Sequence, residues 1–174
     1  MTFFITTLTL LSNIVFVGFI LLFFFDKKVK ALSFKYVEKY IVHILFVISL
    51  GAVVFSLVYS NVVGFPPCEL CWIQRIFIYP QAILALVALT KKDKGIVTYL
   101  LPLSIIGGLI ALFHSLTNWG IGSSFLSCTA TGGACARVYV MEYGYITIPF
   151  MALSSFVYLI VVSLIYYKAK NGRE

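Results

Sequence analysis

Cys68-Glu69-Leu70-Cys71, with Arg75 four residues after the second cysteine, is the stretch of this chain best equipped for chemistry. Two thiols at this spacing on the first turn of a helix can close a small disulfide or stand as a reactive dithiol. The unpaired N–H groups and the macrodipole of a helix start favour a thiolate there. Arg75 falls on the same helical face as Cys71, one turn deeper. Its cation would stabilise a thiolate and orient a polar headgroup. An arginine in an apolar segment calls for a partner or a function. The plainer reading is an arginine that snorkels beside a structural disulfide.

A second pair, Cys128 and Cys135, encloses Thr129-Ala130-Thr131-Gly132-Gly133-Ala134. The two glycines can supply the positive φ angles that turn the chain back. A static bridge over so short a loop would add only about 2–3 kcal/mol. Alone, it would read as an inert staple. Beside a C-x-x-C it reads better as an exchangeable pair. Zinc would need two ligands beyond the C-x-x-C. The loop cysteines could supply them, but their spacing is not C-x₂-C and no H-x₃₋₅-H follows, so no metal is expected.

Membrane helices must position these groups. The chain is 61% hydrophobic and 11% charged, against about 45–50% and about 25% for a soluble domain. Several apolar runs are long enough to cross a bilayer, so the core is interhelical packing in lipid. The net charge of +7 does not point to nucleic acid. All ten lysines fall in three short clusters, Lys27 to Lys39, Lys91 to Lys94, and Lys168 with Lys170. Such clusters beside apolar runs are topology signals.

Residues 2–25 lack a basic n-region and a cleavage site, and their apolar stretch is too long for a signal peptide. They predict a membrane helix. A polar link at 27–39 leads to a second span at 40–63, which Asn61, Gly64, Pro66 and Pro67 break. A third span runs over 67–89, with Pro67 at its first helical position and Pro80 as a kink. A tight turn at 91–95 precedes a fourth span at 96–117, where Gly107-Gly108 allows close helix approach. Residues 118–145 form a loop with five glycines and no proline, and a fifth span covers 146–167. The expected fold is an all-α integral membrane protein with five spans. This count puts every lysine and Arg173 on one side, and Arg75, Arg137 and both cysteine pairs on the other. Positive-inside bias makes the cysteine side the outer one, where disulfides persist. Trp72, Trp119, Tyr139, Tyr143 and Tyr145 then lie near the outer interface.

Three stretches carry a resemblance. They are Gly64-Phe65-Pro66-Pro67-Cys68-Glu69-Leu70-Cys71-Trp72-Ile73-Gln74-Arg75-Ile76-Phe77, then Leu101-Pro102-Leu103-Ser104-Ile105-Ile106-Gly107, and Gly144-Tyr145-Ile146-Thr147-Ile148-Pro149-Phe150, with the loop pair between the last two. In residue types and order the chain resembles the DsbB family of membrane thiol oxidases, and most of all its shorter BdbC branch, over residues 40–167. The resemblance implies a four-helix bundle at 40–167, whose outer loop 118–145 carries the second pair. Residues 1–26 then form an added membrane helix. In the related vitamin K epoxide reductase-like family the loop cysteines precede the C-x-x-C, whereas here they follow it.

The same resemblance implies a bacterial inner-membrane enzyme. It would reoxidise a DsbA-like or BdbD-like thioredoxin-fold oxidase and pass electrons to ubiquinone or menaquinone, in support of disulfide formation in exported proteins. Cys128 would meet the partner, Cys135 would attack Cys68, and Cys71 would emerge as the thiolate beside the quinone, with Arg75 as its counter-charge. Gln74 would hydrogen-bond the quinone or, equally, a neighbouring helix. His114 would donate to the quinone or move a proton, unless it only bonds across helices. His43 and Glu142 read as structural and interfacial. Two alternatives share the same residues: a scaffold with static bridges, and a reductase that carries electrons outward.

Overall fold

The computed structural model describes residues 2–120, 135 and 138–172. Among these the protein is all helical. Its helices are α1 (Thr2–Phe25), α2 (Lys27–Leu57), α3 (Glu69–Lys91), α4 (Val97–Asn118) and α5 (Ile148–Asn171). All five are long and apolar enough to cross a membrane.

The polar link expected at 27–39 is instead the first part of α2. Asp26 caps that helix, and its Oδ1 accepts from the Lys28 N–H at 2.7 Å. Lysine has a high helix propensity, while Ser33, Val37 and Ile41 give the segment a buried stripe. At 1.5 Å per residue, α2 is about 46 Å long, so its lysine-rich start extends beyond an apolar layer of about 30 Å. At its other end the winding loosens into a π-helical turn, Val58–Val62, where the Val63 N–H reaches the Val58 carbonyl at 3.0 Å.

The expected start of the third span also shifts. Pro67 lies before the helix, Cys68 is its N-cap, and Glu69 is its first residue. Pro80 sits inside α3 without ending it. Nearby, Gln81 Oε1 accepts from the Ser104 hydroxyl at 2.8 Å and ties α3 to α4 across a buried layer. Such interhelical polar links stabilise helix contacts in lipid. The turn at 91–95 forms as expected. Lys92 adopts the left-handed conformation there, and Asp93 Oδ1 accepts from the Gly95 N–H. Thr147 caps α5 by accepting from the Phe150 N–H.

The bundle core joins α2, α3, α4 and α5, with Ile41, Leu45, Ala85, Leu100, Phe156 and Leu159 fully or nearly fully buried. α1 packs on α2 and α5 and is the least buried of the five. The up-and-down course gathers the lysine clusters at one end, and the start of α3 meets the end of α4 at the other.

Gly107 makes the tightest approach. A Cβ there would stand 2.4 Å from the Phe156 ring. Gly107→Ala is therefore expected to destabilise the bundle by about 1–3 kcal/mol, read as a lower thermal unfolding midpoint in detergent. Adding Phe156→Leu should recover part of that loss. Equal stability of Gly107→Ala and wild type would refute this packing.

A dithiol site at the bundle end

Cys68 and Cys71 open α3, and their sulfurs lie 3.2 Å apart with Cys68 donating to Cys71. The hydrogen bond to Cys71 and burial push the Cys68 thiol up to about 12. Cys68 therefore holds its proton at neutral pH. Cys71, half-buried on the first turn, accepts that hydrogen bond where the helix start favours negative charge.

His114 descends from α4 onto this pair. Its Nε2 lies 3.7 Å from Cys68 Sγ, and its Nδ1 lies 3.0 Å from Gln74 Nε2. With the Gln74 amide donating to Nδ1, the ring proton sits on Nε2 and faces the Cys68 sulfur. Gln74 thus takes the interhelical bond that was one of its two expected roles. The sulfurs of Cys68 and Cys71 and a ring nitrogen of His114 all lie within 4.8 Å of one another. Such a set could also hold a soft metal ion, with a third ligand that sequence spacing did not offer.

Arg75 has its hydrogen-bond partners on α2. Its Nε donates to Ser56 Oγ at 2.9 Å and its Nη2 to the Ser56 carbonyl at 3.1 Å. Its guanidinium also stacks on the Trp72 ring, 5.1 Å from the centroid. Ser56 lies just before the π-helical turn, so the loosened end of α2 anchors the cation.

Cys135 is 1% exposed and packs with Cys68 and Leu70 in one cluster, with Cys71, Ile110 and Phe113 beside it. Cys135, one member of the loop pair, therefore lies at the start of α3. Cys128, expected as the point of partner attack, lies outside the described residues, as does Arg137.

Cys68, Cys71, Gln74, Arg75 and His114 line one end of a cavity of about 490 Å³, which continues between apolar walls of α1, α2 and α5. Asn118, one turn beyond His114, lines it too. Among the described residues its Oδ1 is buried without a hydrogen-bond partner. Sequence reading missed both Ser56 and Asn118. Asn118 had a signal, the i, i+4 spacing from His114, whereas Ser56 had none beyond the need of a membrane arginine for partners. His43 lies exposed against Tyr40, away from the cavity.

The family model described as "Disulfide bond formation protein DsbB" matches residues 38–166. This chain belongs to the DsbB family. Its relatives include probable disulfide formation protein C 1 of Bacillus anthracis, 39% identical over 72% of this chain and 87% of its own length. Disulfide bond formation protein C of Bacillus subtilis (strain 168) is 38% identical over 66% and 83%. An SPbeta prophage-derived disulfide bond formation protein B from the same strain is 36% identical over 75% and 86%. No solved structure matches the chain. The family match begins within α2, so α1 falls outside it.

Proposed function

We propose that this multi-pass membrane protein of the DsbB family is a thiol:quinone oxidoreductase. In this reading it reoxidises an exported thioredoxin-fold oxidase of the DsbA or BdbD kind and delivers the electrons to ubiquinone or menaquinone. Helices α2 to α5 form the catalytic core. The lysine-rich end faces the cytoplasm and the cysteine end faces outward. The observation that carries the reading is the burial of Cys135 in one cluster with Cys68 and Cys71, both of which line the cavity.

The partner's thiolate attacks Cys128 in the Cys128–Cys135 bridge, and the second partner thiol resolves the mixed disulfide. The partner leaves oxidised, and both loop cysteines are left as thiols. Cys135 then attacks Cys68, breaking the Cys68–Cys71 bond. Cys128 resolves the Cys135–Cys68 link and restores the loop bridge. The proton on His114 Nε2 faces Cys68 and serves that sulfur as it leaves. Two electrons and two protons now reside on Cys68 and Cys71, the dithiol arrangement of this structure.

The cavity fits a quinone. Its walls are mainly apolar, Gln74, Arg75 and His114 line it with the two sulfurs, and the orphan Asn118 Oδ1 offers an acceptor to a hydroxyl. A bound quinone would supply the two-electron, two-proton acceptor that allows the Cys68–Cys71 bond to re-form. Arg75 holds positive charge beside this end, and the apolar walls exclude water. Cys68, Cys71, Cys128 and Cys135 are thus the redox groups. Arg75 and Asn118 are binding residues, and Gln74 orients His114.

The test is turnover in detergent with a reduced thioredoxin-fold oxidase of the DsbA kind and a soluble ubiquinone or menaquinone analogue. One quinone reduced for each partner disulfide formed is expected. A partner that is never oxidised would favour static bridges. Electron flow from the reduced quinone to an oxidised partner alone would favour the outward reductase.

A further inference from the structure

The added helix α1 makes few contacts with the bundle, yet its placement is specific. The Ser12 hydroxyl donates to the Tyr158 oxygen at 2.9 Å, and the Tyr158 hydroxyl donates in turn to Asn13 Oδ1. The Phe16 ring packs on Tyr158 with centroids 4.3 Å apart. Nearer the helix start, Thr7 shares a hydrogen bond of 3.0 Å with the Tyr143 hydroxyl. In a bilayer such side-chain links hold a helix that apolar contact alone would let drift. They fix which face of α1 turns inward.

That face is Ile5, Leu8, Thr9 and Ser12, spaced i, i+3, i+4, i+7, and all four line the cavity. Beside lipid-facing residues such as Phe4, Leu11 and Val15, and partly exposed itself at Leu8, it borders a groove whose other walls are α2 and α5. Gly51 of α2 also lines this cavity, and nothing lies within 4 Å of where its Cβ would stand. The polar groups that would engage a quinone ring lie at the α3–α4 end. The compartment beside α1 is mainly apolar, and its hydroxyls bond within the protein: Thr9 turns back to the Ile5 carbonyl, and Ser12 bonds the Tyr158 oxygen.

We propose that the inner face of α1 is a binding wall for the isoprenoid chain of the quinone, so that this helix, outside the family match, sets the preference for prenylated over tail-less acceptors. The proposal rests on the quinone reading above. α1 adds a side wall to the passage between α2 and α5. An isoprenoid chain there is partly shielded from the bilayer on the α1 side, and the ring is held toward Cys71.

The experiment compares full-length wild type with Thr9→Phe, using a prenylated naphthoquinone (menaquinone-4) and its tail-less counterpart (menadione) as acceptors. Thr9→Phe places bulk in the passage. The ratio of kcat/KM for menaquinone-4 over menadione is expected to fall about tenfold or more, chiefly through KM for menaquinone-4. An unchanged ratio overturns the proposal. As a measurement on wild type, a menaquinone analogue with a diazirine on its chain is expected to label Ile5, Leu8, Thr9 or Ser12 on illumination. Labelling confined to α2 and α5 overturns it. Wild type that reduces neither quinone refutes the quinone reading itself, which separates that failure from a failure of α1.

Discussion

The Cys71→Ser protein is expected to lose steady-state quinone reduction by about a thousandfold or more, while still oxidising one equivalent of reduced partner. The two halves of that result come from different cysteine pairs. The first equivalent needs only the Cys128–Cys135 bridge, which the substitution leaves in place. Continued turnover needs Cys68–Cys71 to accept those electrons, and serine cannot form the bond. Burst amplitude by partner oxidation and steady-state rate by quinone absorbance separate the two. Retained turnover would sink the scheme, and absence of the burst would point to static bridges. A companion measurement uses reduced wild type. Only a thiolate reacts readily with an alkylating agent. The Cys68 thiol, held up near 12, is neutral at pH 8, so iodoacetamide should modify Cys71 first. The Cys68 share should rise only as the pH climbs toward that value. Modification of Cys68 first would contradict the direction of the hydrogen bond between the sulfurs.

Much of the frame was legible because it depends on local composition. Length and apolarity mark membrane helices, lysine clusters mark their ends, and the C-x-x-C carries its own spacing. The boundaries that moved did so for physical reasons. The stretch 27–39 reads as a polar link by charge, but lysine favours helix and Asp26 supplies a cap. Pro67 suits a first helical position, yet the chain stays extended through Cys68. Contacts between helices were not legible. Gln74 and His114 are 40 positions apart, and Arg75 and Ser56 are 19 apart. Lipid-facing and partner-facing positions are both apolar in a membrane bundle, so periodicity does not tell which faces meet. For the same reason nothing in residues 2–25 pointed to a cavity wall.

Removing the cation gives the second large effect. Arg75→Met is expected to lower kcat/KM for the quinone about a hundredfold, with the single-equivalent burst of partner oxidation retained. Two causes act together. Among the described residues that line the cavity the guanidinium is the one lysine or arginine charge, and a charge in a water-poor site acts more strongly than in water. Its loss also removes one donor each from the Ser56 hydroxyl and carbonyl, leaving the Tyr79 hydroxyl at 3.5 Å on the first and the Ser60 hydroxyl at 3.2 Å on the second, which loosens the π-helical end of α2. Arg75→Lys separates the causes. Lysine keeps the charge but cannot reproduce the two-pronged grip on Ser56 or the flat stacking on Trp72. If charge dominates, Arg75→Lys recovers most of the rate. If anchoring dominates, it resembles Arg75→Met, and Ser56→Ala, which removes the hydroxyl that accepts from Nε, shares part of the defect. A normal quinone rate in Arg75→Met would reduce Arg75 to a snorkelling residue tied to Ser56. It would also remove the cation from the mechanism and leave the helix start and His114 as the groups that control charge at the sulfurs.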